Sequence, residues 1–192
     1  MTIALLIAAA TTLLAAGGPV SWLDAKTRAN WNVAGATFPQ RPGPQDSELV
    51  RGGRCAATVR PPSTQEDRTV VRRGWSLVGA YHRYGPTAIV MATSSADGMC
   101  RPNGFQAFVF VNGAFAGTLS PRLMDSRTDG AISNVSVTLD SAHDIEVDFA
   151  RYSASDALCC PHATSSVLYH VTTAPLPRVA PVSVTTSANP GG

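Results

Sequence analysis

The sequence predicts a mostly β (α+β) protein, an antiparallel β meander of five to seven strands with one short N-terminal helix. Three observations carry this. Short runs of Val, Ile, Phe, Tyr and Thr, separated by turn residues, fill the chain from Gly74 to about residue 172. Asn112-Gly113, a pair whose positive backbone angles suit a tight hairpin, lies between two of these runs. A capped helical segment precedes them and follows a long Pro- and Gly-rich stretch. With 192 residues, 44% of them hydrophobic and 15% charged, the chain suits one globular domain with modest tails.

In chain order, residues 1–18 read as a signal-like segment. Ile3 to Ala16 is a run of apolar residues and Thr, followed by Gly17, Gly18 and Pro19. The run is shorter than the roughly 20 residues of a membrane span, and Ala15 and Gly17 offer a small-residue cleavage site. No Lys or Arg lies between Met1 and Trp22, so the usual basic n-region is missing. Residues 19–54, with Pro39, Pro42 and Pro44, read as an extended arm that Trp22, Trp31 and Phe38 tack to the core. Residues 55–173 are the expected β-rich, disulfide-stabilised domain. Ser63 and Glu66 form a predicted capping box for a helix over Thr64–Arg73, closed by Gly74. Strands are expected at about 75–82, 86–94, 105–111, 114–119, 133–139, 144–151 and 164–172. Residues 174–192, rich in Pro, Ser and Thr, read as a disordered tail unable to bury enough apolar surface.

Cys55, Cys100, Cys159 and Cys160 form an even set behind an export-like start, so two disulfides are expected rather than free thiols. A bridge between Cys159 and Cys160 would join α-carbons about 3.8 Å apart, below the usual range of roughly 4.4 to 6.8 Å. The favoured pairing therefore sends Cys55 and Cys100 each to one of these neighbours, with the vicinal bridge as the alternative.

Phe108 to Pro121 (FVFVNGAFAGTLSP), Asp144 to Tyr152 (DIEVDFARY), Val167-Leu-Tyr-His-Val171 and Asp156-Ala-Leu-Cys-Cys-Pro161 together resemble the LppP/LprE family of bacterial envelope lipoproteins. The resemblance spans roughly residues 75–172 and rests on hairpin and strand motifs rather than catalytic ones. It implies an envelope protein without an established enzymatic activity. The lipid-attachment cysteine of such proteins has no counterpart, since Leu14-Ala-Ala-Gly17 runs into Gly18-Pro19-Val20 and the first cysteine is Cys55. The expected location is thus secreted or periplasmic, with an uncleaved N-terminus as the alternative membrane anchor.

Composition and motifs narrow the chemistry. A net charge of +2, evenly spread, argues against a nucleic-acid partner. The 14 Arg against one Lys read as a genomic skew. Phosphate loops, dinucleotide fingerprints, paired carboxylates and zinc-protease motifs are missing from the sequence, so no cofactor or metal is expected. Cys159-Cys160-Pro161-His162 lacks a second ligand half for zinc. Gly74-Trp-Ser76-Leu-Val-Gly79 misses the nucleophile-elbow spacing by one residue. His82, His143, His162 and His170 are scattered over strand ends and loops. Met124 to Gly130 places Asp125, Arg127 and Asp129 together as a ligand-loop candidate, without the acidic spacing of a calcium loop. It reads first as a turn-rich connection with Asp caps and an ion pair. The sequence therefore points to a non-enzymatic binding or structural scaffold that contacts an envelope component or protein partner. The rivals are a small secreted hydrolase using His82 or His143, and an inhibitor that presents the 120–132 loop.

Overall fold

The structure is a computed structural model that describes residues 21–25 and 29–190. The signal-like segment lies outside the described residues. Strands β1 (Ser76–Tyr84), β2 (Thr87–Ala96), β3 (Pro102–Val111) and β4 (Ala114–Thr118) form one antiparallel sheet in chain order. Strands β5 (Ile132–Leu139), β6 (Asp144–Arg151), β7 (Ala163–Thr172) and β8 (Arg178–Ala188) form a second. The seven expected strands are present. The chain is mostly β with one short α-helix before the strands, as expected; its antiparallel strands follow one another as two four-stranded meanders, because the 119–131 connection carries the chain from one layer to the other.

Side-chain alternation explains the layering. In β2 and β3, Ile89, Ala107, Val109 and Val111 face the second sheet, where Ile145, Val147, Phe149, Val167 and Tyr169 meet them. Ala88, Val90, Phe108 and Phe110 point the other way, against Phe38, Val70, Trp75 and Leu77. The first sheet is therefore covered on both faces, which is why Phe105 to Val111 is an unbroken buried run. The second sheet has one covered face, and β7 alternates buried with more exposed positions along its length.

Helix α1 (Gln65–Arg72) and the arm make the outer cover. The cap differs by one residue from the Ser63/Glu66 box: Thr64 accepts from the Asp67 amide at 3.1 Å and Asp67 accepts from the Thr64 amide at 3.1 Å. Asp67 is chosen because its carboxylate also takes two guanidinium bonds from Arg60, both at 2.7 Å, and the Ser63 amide at 3.0 Å. Trp22 packs edge-on to Phe149, Trp31 to Tyr169 and Phe38 to Phe115, so the aromatic residues of the arm reach both sheets.

Two further expectations are corrected. The tail from residue 174 contributes β8, paired with β7 from Thr172↔Arg178 to Ala163↔Ala188. It needs little apolar surface of its own, because β7 supplies backbone partners, Val179 is buried in the core and Val184 packs against it. Pro181 falls where the register shifts, a position that tolerates a missing donor. The disulfides join Cys55 to Cys100 and Cys159 to Cys160. Cys55 and Cys100 meet because Asp46 of the arm accepts from the Ala96 amide at 3.0 Å and brings the arm to the β2–β3 turn. Cys159 and Cys160 lie in the β6–β7 connection of the second sheet.

Candidate functional site

Where the arm crosses the first sheet it leaves a cleft of about 340 Å³ beside the β4–β5 connection. Trp75 and Phe108 line it from the sheet side, Pro39 and Pro42 from the arm, and Pro121, Arg122 and Leu123 from the connection. A second cavity of about 300 Å³ shares Arg122 and Leu123 with the first and is otherwise lined by Ser21, Trp22, Met124, Asp125, Thr128, Asp129 and Gly130.

The walls of the first cleft are fixed by hydrogen bonds rather than by packing alone. The indole of Trp75 donates to the Pro39 carbonyl at 3.0 Å, and the Arg41 amide donates to the Arg73 carbonyl at 3.0 Å, so the arm is stitched down at its cleft edge. Gln106 is buried with its amide group donating to the carbonyls of Ser120 and Arg122 at 3.1 and 3.2 Å, while its oxygen accepts from the Ala107 amide. Ser120 adds a bond to the Arg122 carbonyl at 2.8 Å. Two residues later the connection rejoins β3 through reciprocal bonds between Phe105 and Met124. The Arg122 backbone is thus held from three sides. Its guanidinium is exposed and has no ion pair among the described residues.

The predicted ligand loop is divided by the structure. Asp125 and Asp129 line the second cavity, whereas Arg127 stands outside it, exposed and in the left-handed region at φ 63°. Asp125 accepts from the Gly104 amide at 2.7 Å. The expected ion pair is made with a different arginine: Arg151 bonds Asp129 at 2.8 Å and Asp24 of the arm at 2.7 Å, and reaches the Ser165 hydroxyl at 3.1 Å. Hydrogen bonds from Arg151 hold the Asp24 carboxyl below its ordinary range, and the same pairing raises the Arg151 guanidinium. Asp129 is therefore occupied in tying the β4–β5 connection to the second sheet, and Asp24 ties the arm to the same arginine.

Two of the four imidazoles, His143 and His170, lie together. His143 Nδ1 meets the Val171 carbonyl at 3.0 Å and its ring stacks on His170, which faces Asp144 at 3.4 Å. His162 pairs with Asp156 at 2.8 Å. His82 is partly buried in β1, and that burial lowers its pKa. Ser76 is buried where β1 begins, paired across to Thr93. Among the described residues no group of three or more His, Cys, Asp and Glu is arranged to hold a metal ion.

Gln106, Arg122 and Arg151 were not marked by sequence motifs. Gln106 alone left a trace, as the one polar residue inside the apolar run Phe105 to Val111. Among the described residues no helix is long and apolar enough to cross a membrane.

No curated protein and no solved structure matches the chain. A family comparison does: from His82 in β1 to the residue after β7, over residues 82–173, the chain matches the LppP/LprE lipoprotein family, in agreement with its hairpin and strand motifs.

Proposed function

We propose that the protein is a binding scaffold of the cell envelope that takes the apolar part of an anionic amphiphile into the cleft between the arm and the first sheet. The observation that carries this reading is the pairing of a preformed, largely apolar cleft with an unpaired cation on a rigid rim. Pro39, Pro42 and Leu123 offer accessible apolar contact over the buried Trp75 and Phe108, and Arg122, with its backbone fixed by Gln106 and Ser120, offers charge. Such a cleft, at the small end of roughly 300 to 1,000 Å³ for ligand sites, binds by burying surface and orients its ligand through few polar groups. The family match supports an envelope setting. Binding is preferred to hydrolysis because none of the imidazoles of His82, His143, His162 and His170 lines the cleft.

The test is a fluorescence titration of the full chain with dodecyl phosphate and, separately, with an uncharged dodecyl glycoside. Saturable binding of the phosphate is expected. Arg122→Glu should weaken it about tenfold, with little effect on the glycoside. Leu123→Arg should weaken both. Equal affinities in wild type and both variants, or no saturation, would refute the cleft as the binding site.

A further inference from the structure

We propose that Cys159–Cys160 is a thiol–disulfide exchange site, which a dithiol reductant opens while the domain stays folded. The two disulfides of the chain differ in the features that govern such chemistry. Cys55 is 1% exposed, and its bridge to Cys100 ties residues 45 apart in sequence, fixing the arm to the β2–β3 turn. Cys159 and Cys160 are both exposed and adjacent in sequence. A bond between neighbours closes no chain loop, so it contributes none of the loop-closure restraint by which a disulfide stabilises a fold.

The connection that carries the pair is held without it. The Asp156 carboxylate accepts from the Ser153 amide at 2.9 Å and the His162 amide at 3.0 Å, and meets His162 Nδ1 at 2.8 Å. The Tyr152 hydroxyl donates to the Leu158 carbonyl at 2.9 Å, and the Cys160 amide donates to the Ala157 carbonyl at 2.9 Å. These bonds span the segment on both sides of the sulfurs. The frame therefore presents the pair to solvent in either redox state.

The exchange balances as two successive displacements. A thiolate of the reductant attacks one of the two sulfurs, the Cys159–Cys160 bond breaks, and the displaced cysteine thiolate takes a proton from solvent. The second thiol of the reductant loses its proton and attacks the mixed disulfide, expelling the other cysteine. The reductant is oxidised by two electrons to its own disulfide, and both cysteines end as thiols.

To test this, full-length protein isolated in air is exposed at neutral pH to graded dithiothreitol, quenched with iodoacetamide and mapped by peptide mass spectrometry. Cys159 and Cys160 are expected to label at about tenfold lower reductant than Cys55 and Cys100, with the near-ultraviolet circular dichroism unchanged. The double variant Cys159→Ser with Cys160→Ser should keep the melting temperature of the wild type. Reduction of both pairs together, protection of Cys159 and Cys160 until the protein is denatured, labelling of both before reductant is added, or a large loss of melting temperature in the double variant would each overturn the proposal.

Discussion

The side-chain amide of Asn32 lies against the backbone of Gly117, so close that a β-carbon at Gly117 would stand 2.3 Å from Asn32 Cγ. The contact closes the seam between the two sheets. Asn32 Nδ2 donates to the Thr118 carbonyl of β4 at 2.9 Å and to the Val179 carbonyl of β8 at 3.2 Å, and its oxygen accepts from the Thr118 amide at 2.8 Å. One arm residue thus stands in for a missing ladder between two edge strands. Gly117→Ala adds a clash at φ 135° and should cost about 2–4 kcal/mol in denaturant unfolding. Asn32→Ala should cost about 1–3 kcal/mol by leaving strand groups unpaired. Because Asn32→Ala also shortens the side chain that clashes, the double variant should cost less than the sum. Strict additivity would show that the two residues do not act on each other.

The Arg60–Asp67 pair should make stability depend on acid. Asp67 has no exposed side-chain surface and Arg60 keeps 20%. Burial acts to raise the Asp67 pKa, but the Arg60 hydrogen bonds and the Ser63 and Thr64 amides outweigh it and hold the carboxyl far below its ordinary value. A depressed folded-state pKa contributes stability above the unfolded carboxylate value, near pH 4, that is lost as pH falls toward the folded value. Denaturant midpoints measured from about pH 7 down to about pH 2 should therefore fall, and Asp67→Asn should flatten that fall while lowering stability at neutral pH. Asp67→Ala, which strands the Arg60 guanidinium, should cost about 3–5 kcal/mol. An acid profile unaltered by Asp67→Asn would place the dependence elsewhere.

Strand β8 should be required for the second sheet to fold. Val179 is fully buried between the sheets, and its carbonyl is one of the acceptors of Asn32. Val179→Asp places a carboxylate among apolar side chains and should cost at least about 3 kcal/mol. Val182→Asp, on an exposed position of the same strand, should be near neutral. Equal, small effects at both sites would mean that the segment is not paired in solution.

How legible each element was follows from where its stabilisation comes from. The β3–β4 hairpin was readable because Asn112 adopts φ 49° and Gly113 φ 77°, a local demand that the residue pair itself advertises. The other interior strands were readable by their apolar runs. β8 was hidden, since Arg178 to Ala188 gains its order from the edge of β7 and carries a Pro and many hydroxyls that by themselves signal a loop. The disulfide pairing was hidden for the same reason: the Asp46 bond to Ala96 is a contact across 50 residues with no local signature. Asp125 and Asp129 were marked by clustering and do line a cavity, yet Arg151, the true partner of Asp129, lies in a strand 22 positions away. Arg122 has no motif at all, and its place on the rim arises from Gln106 beneath it.

The phenol of Tyr169 should be the last of the four tyrosines to ionise. Its ring is buried in the core, beside Trp31, and its hydroxyl donates to the Leu119 carbonyl, joining β7 to the end of β4. Burial pushes its pKa well above the ordinary phenol value, and Tyr81 is raised more modestly, first by burial and then by Glu66. A raised folded-state pKa gives stability that is present below the unfolded phenol value, near pH 10, and is lost as pH rises through the folded value. Absorbance at about 295 nm, followed with rising pH, should therefore show a final step that coincides with loss of near-ultraviolet circular dichroism. Tyr169→Phe should abolish that step and, by leaving the Leu119 carbonyl without its donor, cost about 1–2 kcal/mol at neutral pH. If all four tyrosines ionise together near the unfolded value while the protein stays folded, the Tyr169 hydroxyl is in contact with water and the two sheets are packed less tightly than described above.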